Sequence, residues 1–223
     1  MTFNEFKDIA RTGLPDITEE QFGKFEALTP LYEDWNSKIN VISRKDIDCL
    51  YDHHVLHSLS IAVYLRLRHP EIYESLLKDS GISILDLGTG GGFPGIPLAV
   101  IFPNVRFTLC DSVGKKIKVA SEVAKALKLN NVETVNTRAE SLPGRFDYVV
   151  ARAVAPLDLF LPWVKGKFHK GVLCLKGGDI NEEIISAMEK FKIPKGRLST
   201  WQIDSWLPDS YYAEKFLIHI SSN

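Results

Sequence analysis

Apolar positions in the first 80 residues recur every three or four places. Phe22, Phe25, Leu28, Tyr32, Trp35 and Ile39 fall on one side of a helix, and Ile47, Leu50, Val55, Leu59, Ile61 and Leu65 on one side of another that spans Lys45 to Arg68. Thr18 followed by Gln21 predicts a capping box at the start of the first helix. Pro30, which has no N–H to donate, predicts a kink or split within it. From Gly81 onward the pattern changes to short apolar runs alternating with helical segments, as a parallel sheet with crossover helices requires. Strands are predicted over Ser83–Leu87, Arg106–Asp111, Val132–Asn136, Tyr148–Ala151 and Val172–Lys176, then near Ser199–Asp204 and over Lys215–His219. The first five are spaced as βαβ units. The last two would close the sheet as an antiparallel pair after a helix over Asn181–Phe191. The chain thus divides into a helical extension, residues 1–80, and an α/β domain, residues 81–223, with a mostly parallel sheet.

An apolar content of 45% over 223 residues fills such a core and excludes a disordered chain. No apolar run reaches the roughly 18 residues of a membrane span, and the opening MTFNEFKDIARTG has no secretory apolar block, so a cytoplasmic location is expected. Cys49, Cys110 and Cys174 are far apart and odd in number, which points to reduced thiols and away from a disulfide framework or a zinc ribbon. The net charge of −1 excludes a strongly basic coat for nucleic acid, yet the two parts differ. Residues 1–80 carry 9 Lys and Arg against 14 Asp and Glu, and residues 81–223 carry 18 against 14. A polyanion should meet the second part first.

The candidate chemistry lies in ILDLGTGGGFPGIP, Ile84–Pro97, where a predicted strand runs through Asp86 into Gly88, Gly90 and Gly92. Glycines after a parallel strand let backbone N–H groups approach a ligand. Asp111, at the tip of the second strand, is placed to accept hydrogen bonds from both ribose hydroxyls of a nucleoside cofactor. The dinucleotide frame needs a third Gly or Ala where this chain has Phe93, so that pattern fails. The order DxGxGxG instead resembles motif I of class I S-adenosylmethionine-dependent methyltransferases. In that resemblance Asp86 faces the methionine end and Asp111 the ribose. The segment after the fourth strand, FDYVVARAVAPL, has neither a [DN]PP[YFW] tetrapeptide to hold an exocyclic amine nor a Pro–Cys pair for thiolate attack on a pyrimidine. An acceptor such as guanine N7 has a free lone pair and no proton to lose, so it needs positioning more than a base.

Further motifs are WNSKIN (Trp35–Asn40), HVLHSL (His54–Leu59), LCDSVGKK (Leu109–Lys116), RAES (Arg138–Ser141), ARA (Ala151–Ala153) and LKGG (Leu175–Gly178). Together with the glycine loop they resemble the bacterial 16S ribosomal RNA guanine-N7 methyltransferase family, also called the glucose-inhibited division protein B family, over nearly the whole chain. The resemblance implies a class I methyltransferase fold, a Rossmann-like, seven-stranded, mostly parallel sheet with an N-terminal helical extension. It also implies S-adenosyl-L-methionine as cofactor and methyl transfer to N7 of one guanine of 16S rRNA near the decoding region, within the small subunit or an assembly intermediate. The family's cofactor positions fall on Gly88, Phe93, Ala139, Glu140 and Arg152, to which the residue reading adds Asp86, Gly90 and Asp111. Arg152 and His54 are the candidates for positioning the target, and no general base is expected. The chain departs from many members at His57, where they carry Asp. His53, His54 and His57 show no fourth ligand, so no metal is expected. Cations for RNA are Arg44, Lys45, Lys115, Lys116, Arg138, Arg145, Arg152, Lys165 and Lys176; for Lys115 and Lys116 a plain solvated helix start is the competing account. A methyltransferase for a small molecule is the alternative reading, set apart by turnover without RNA.

Overall fold

The computed structural model describes residues 1–43 and 45–222. Helix α1 (Phe3–Gly13) opens the extension, and α2 (Glu19–Glu26) follows the predicted capping box. The Thr18 hydroxyl accepts from the Gln21 N–H at 3.2 Å while the Gln21 side-chain oxygen accepts from the Thr18 N–H at 2.9 Å. The Gln21 amide then donates to the carbonyls of Val100 and Ile101, which fastens the extension to the body of the protein. The predicted split occurs at Ala27. Pro30 becomes the third residue of α3 (Leu28–Lys38), where its missing N–H costs nothing because the first N–H groups of a helix are unpaired in any case.

The second predicted helix is not continuous. Ile47–Cys49 form a 3-10 turn and Leu50–Leu56 a π-helical segment, and only then does α4 (His57–Arg68) begin. Leu50 with Val55 and Tyr51 with Leu56 are buried pairs five residues apart, a spacing that suits i→i+5 bonding better than the α-helical repeat. Helix α5 (Pro70–Lys78) starts on a proline at its first position.

The sheet has the order β3-β2-β1-β4-β5-β7-β6, with β1 (Ser83–Leu87), β2 (Arg106–Asp111), β3 (Val132–Asn136), β4 (Phe146–Arg152), β5 (Phe168–Gly177), β6 (Leu198–Gln202) and β7 (Lys215–Ser221). Strands β1 to β5 are parallel, and β7 runs antiparallel between β5 and β6. This is the seven-stranded, mostly parallel sheet read from the sequence. The sixth strand stops at Gln202, and Ile203–Ser205 make a 3-10 turn instead. Chain order reverses between β1 and β4, so the carboxyl ends of β1, β2 and β4 border one crevice, the usual ligand position in open α/β sheets.

Side chains alternate across β1. Ile84 joins a core shared by the extension, α6 (Gly95–Ile101) and α7 (Gly114–Ala126), including Phe6, Phe22, Leu59, Val100 and Val123. Leu85 and Leu87 join the opposite core with Val149, Phe160 and Ile218, beneath α8 (Leu157–Val164) and α9 (Asn181–Phe191). The extension therefore closes one face of the sheet. All three cysteines are free thiols, with Cys110 and Cys174 buried. Among the described residues no helix is long and apolar enough to cross a membrane.

Candidate active site

Asp86, on β1, is completely buried beneath the glycine loop. One carboxylate oxygen accepts from the Thr89 hydroxyl at 2.6 Å and from the Gly95 N–H at 2.7 Å, and the other has no partner among the described residues. Burial pushes its pKa up to about 7 against the pull of those two donors. Asp86 thus anchors both ends of the loop and does not line the crevice beside it, where the sequence reading had set it against the ligand. Gly88 and Gly90 adopt φ of +75° and +58°, backbone that disfavours any side chain. A Cβ on Gly88 would strike Val154 at 2.6 Å, whereas one on Gly90 would meet no atom within 4 Å. The Gly90 N–H donates to Asp111 at 3.0 Å, and the other Asp111 oxygen accepts from the Val113 N–H at 2.8 Å.

Two cavities flank this loop. The first, of about 400 Å³, is lined by Gly88, Asp111, Lys116, Arg138, Ala139, Glu140 and Trp163 among others. The second, of about 340 Å³, is lined by His54, His57, Gly90, Phe93, Arg152, Lys176, Tyr211 and Lys215 among others. Gly88, Lys116 and Ala153 belong to both linings, so the spaces adjoin across the backbone of the glycine loop. The sequence candidates other than Asp86 are therefore brought together: Asp111, Ala139 and Glu140 on one side, Gly90, Phe93, Arg152 and His54 on the other, and Gly88 between.

Arg152, at the end of β4, is held by the extension. It donates to the His53 carbonyl at 3.0 Å and to Nδ1 of His54 at 2.8 Å, and its guanidinium lies 5.3 Å from the centre of the Phe93 ring. Among the described residues it has no carboxylate at salt-bridge distance, so a cation with free donors faces the second cavity. Burial, then the Arg152 charge, lower the His54 pKa to about 4. Burial and Arg152 also hold His57 well below the usual histidine value, and among the described residues neither of its ring nitrogens has a hydrogen-bond partner. Both imidazoles are neutral at pH 7, and charge in this cavity comes from Arg152 and the lysines.

Several lining residues carried no sequence signal. Tyr211 comes from the connection between β6 and β7 and Lys215 opens β7; the connection docks on the π-helical segment through a hydrogen bond from the Tyr212 hydroxyl to the Asp52 carbonyl. Tyr211 stacks on His53 with ring centres 3.6 Å apart, and Lys215 lies 5.0 Å from the Tyr211 ring centre. Only the tertiary fold brings this distant segment to the crevice. Conversely, Arg145 donates to the Gly166 carbonyl at 2.7 Å and lines a cleft with Ser83 and Arg106, at the opposite ends of the strands; Lys165 adjoins that same contact. These two expected RNA cations stand away from the crevice. Lys176 is paired with Glu183 at 2.7 Å, and Arg44 lies outside the described residues.

Asp46, Cys49 and His53 offer three potential metal-ligand atoms within 4.8 Å of one another. The Asp46 carboxylate is already engaged, by Nδ1 of His53 at 2.5 Å and Nε2 of His54 at 2.6 Å. The cluster orders the two imidazoles, and His57 is not part of it.

Residues 21–203 match the model of a family described as rRNA small subunit methyltransferase G. A Flavobacterium psychrophilum protein named ribosomal RNA small subunit methyltransferase G is 45% identical over 214 residues, covering 92% of this chain and 93% of its own. A Bacteroides fragilis protein of the same name is 52% identical over 184 residues, covering 79% and 84%. Among solved structures, magnesium protoporphyrin IX methyltransferase from Synechocystis PCC 6803 with bound SAM superposes with a TM-score of 0.62 at 12% identity, over 87% of this chain and 97% of that one. At that identity the likeness is one of fold.

Proposed function

The chain belongs to the rRNA small subunit methyltransferase G family, and from that premise we propose that it transfers a methyl group from S-adenosyl-L-methionine to N7 of one guanine in 16S rRNA. The observation that carries the reading is the pair of cavities meeting at Gly88, with a carboxylate in one and a guanidinium lacking an acidic partner in the other. The residues fit the cofactor. Asp111 keeps lone pairs for ribose hydroxyls, and Ala139 and Glu140 border the space beside it for the adenine. Gly90 leaves open the volume a side chain would take, and Arg152 offers donors to a carboxylate. Asp86 serves the site by fixing the loop.

When bound, the cofactor would supply a methyl group on a sulfonium, whose carbon an acceptor lone pair can attack while the C–S bond breaks and its electron pair leaves on the thioether sulfur. The part left to this chain is positioning, because N7 loses no proton. Neutral His54 and His57 suit the second cavity, since neither adds positive charge where a sulfonium reacts and a methylguaninium forms. Phe93, against which the rings of Tyr32 and His54 pack at 4.9 and 5.3 Å, gives the cavity a rigid apolar wall. In this reading residues 1–80 complete the crevice of the methyltransferase domain, 81–223. The enzyme works where ribosomal subunits are assembled, in the cytoplasm, and a prefolded subunit is a better substrate than a short oligonucleotide.

The test is transfer of labelled methyl from the cofactor, with and without small-subunit RNA. RNA-dependent label is expected. Turnover on small molecules alone would overturn the reading, although the family match does not favour that alternative.

A further inference from the structure

Two of the sequence motifs, WNSKIN and LCDSVGKK, are only partly used by the cofactor crevice, yet the fold brings them side by side. Lys38 and Ile39, where α3 ends, form one wall of a groove of about 550 Å³, and Val113, Lys115 and Lys118, where α7 begins, form the other. Lys116 lines this groove and also both cavities of the crevice, so the groove is continuous with the proposed active site.

Among the described residues no carboxylate lines the groove. Lys38 pairs with Asp34 on its own helix, but among the described residues Lys115, Lys116 and Lys118 have no acid at salt-bridge distance. Helix stability does not account for Lys115 and Lys116. Lys115 and Lys116 occupy the first turn of α7, where the helix dipole and the unpaired N–H groups disfavour cations. Lys118 and Lys38 both stand over the Trp35 ring, at 5.9 and 5.3 Å from its centre, so one aromatic residue fixes cations from both walls. Exposed Val113 adds an apolar surface between them. Unpaired cations beside an exposed apolar side chain, steadied by a neighbouring aromatic ring, suit the phosphates of a single-stranded nucleic acid backbone.

We infer that the groove between α3 and α7 holds the RNA strand immediately flanking the target guanine, with Lys115 and Lys118 on its phosphates. The inference rests on the reading of the protein as an rRNA methyltransferase. It specifies where the substrate enters: along α7, past Lys116, into the second cavity. An acidic segment of a ribosomal protein is the competing occupant.

The experiment compares Lys115→Ala/Lys118→Ala with Lys125→Ala/Lys195→Ala, which removes two exposed lysines outside the groove. Direct binding of naked 16S RNA is measured against salt, beside cofactor affinity and thermal stability. Loss of two phosphate contacts on a single strand should flatten the slope of log K against log salt by about 1.4 and weaken RNA binding at least several-fold. Cofactor affinity should stay unchanged, Lys115→Arg/Lys118→Arg should restore RNA binding, and the control pair should behave as the wild type. An unchanged slope, or a loss equal to that of the control pair, overturns the inference. So does a loss seen on assembled subunits and absent on naked RNA, which would assign the groove to a protein. Because binding is read without turnover, failure of the wild type to methylate RNA would refute the methyltransferase reading separately.

Discussion

The guanidinium of Arg152 donates to Nδ1 of His54 at 2.8 Å, and through that bond the N-terminal extension reaches into the crevice of the sheet. Nδ1 must therefore accept, which leaves the ring proton on Nε2, and Nε2 donates to Asp46 at 2.6 Å. Asp46 fixes the tautomer, and the tautomer fixes Arg152. Replacing His54 by Ala should lower kcat/KM for RNA methylation about 10-fold to 100-fold, the scale of a lost hydrogen bond to a charged group. Asp46→Asn should act in the same direction and more weakly, since one amide oxygen still serves one imidazole. Steady-state methylation of small subunits reads both, and wild-type rates in His54→Ala would refute the relay.

Asp111 accepts from the N–H groups of Gly90 and Val113 and also borders the first cavity. With Asp111→Ala, cofactor binding measured by calorimetry should weaken by about 1–3 kcal/mol. Asp111→Asn, which keeps one acceptor oxygen, should lose less. Unchanged affinity in the alanine variant would remove Asp111 from the ribose site.

Two glycines of the same loop should fail in different ways. A Cβ on Gly95 would lie 2.6 Å from the Asp86 carboxylate oxygen and 3.0 Å from Leu109, so Gly95→Ala should lower the melting temperature. At Gly90 the added carbon meets nothing, and the cost is the positive φ, about 1 kcal/mol. Gly90→Ala should stay folded and lose cofactor affinity. Thermal melts with parallel binding titrations separate the two outcomes.

Asp86 makes stability depend on pH. Its folded pKa, about 7, lies above the ordinary 3.8, so its contribution is fully present below pH 3.8 and is lost as pH rises through 7. Asp86→Asn cannot ionise and escapes that loss. The melting temperature of the variant relative to wild type should rise from pH 4 to pH 7 and level off above it. A flat or falling difference would show that Asp86 is ionised throughout. The buried His54 and His219, both lowered to about 4, act in the opposite sense and cost stability as pH falls from 6.5 to 4 in either protein.

Local features of the chain were legible in the sequence, and features made by long-range packing were not. The capping box at Thr18, the split near Pro30 and the bounds of β1, β2, β3 and α9 depend on neighbours in sequence, and they stand where the residues predict. The π-helical segment does not, because its register is set by what Leu50, Tyr51, Val55 and Leu56 pack against. The meeting of Asp111, Ala139 and Glu140 around the first cavity could be read because these residues follow strand ends in a fixed order. Tyr211 arrives on the connection between β6 and β7, Lys215 at the start of β7, and Asp46 acts through a histidine, so no local pattern marks their part in the site. Asp86 was legible as a motif residue but not in its role, since only burial distinguishes a loop anchor from a ligand contact.

The reaction assigned to the enzyme is methyl transfer to guanine N7 in 16S rRNA. Its most direct measurement is methylation of unmodified small subunits by the purified protein, followed by borohydride reduction and aniline cleavage, which break RNA at N7-methylguanine. A single new cleavage at one guanine, dependent on both cofactor and enzyme, is the predicted result. Label transferred to another atom, with no cleavage at any guanine, would contradict it.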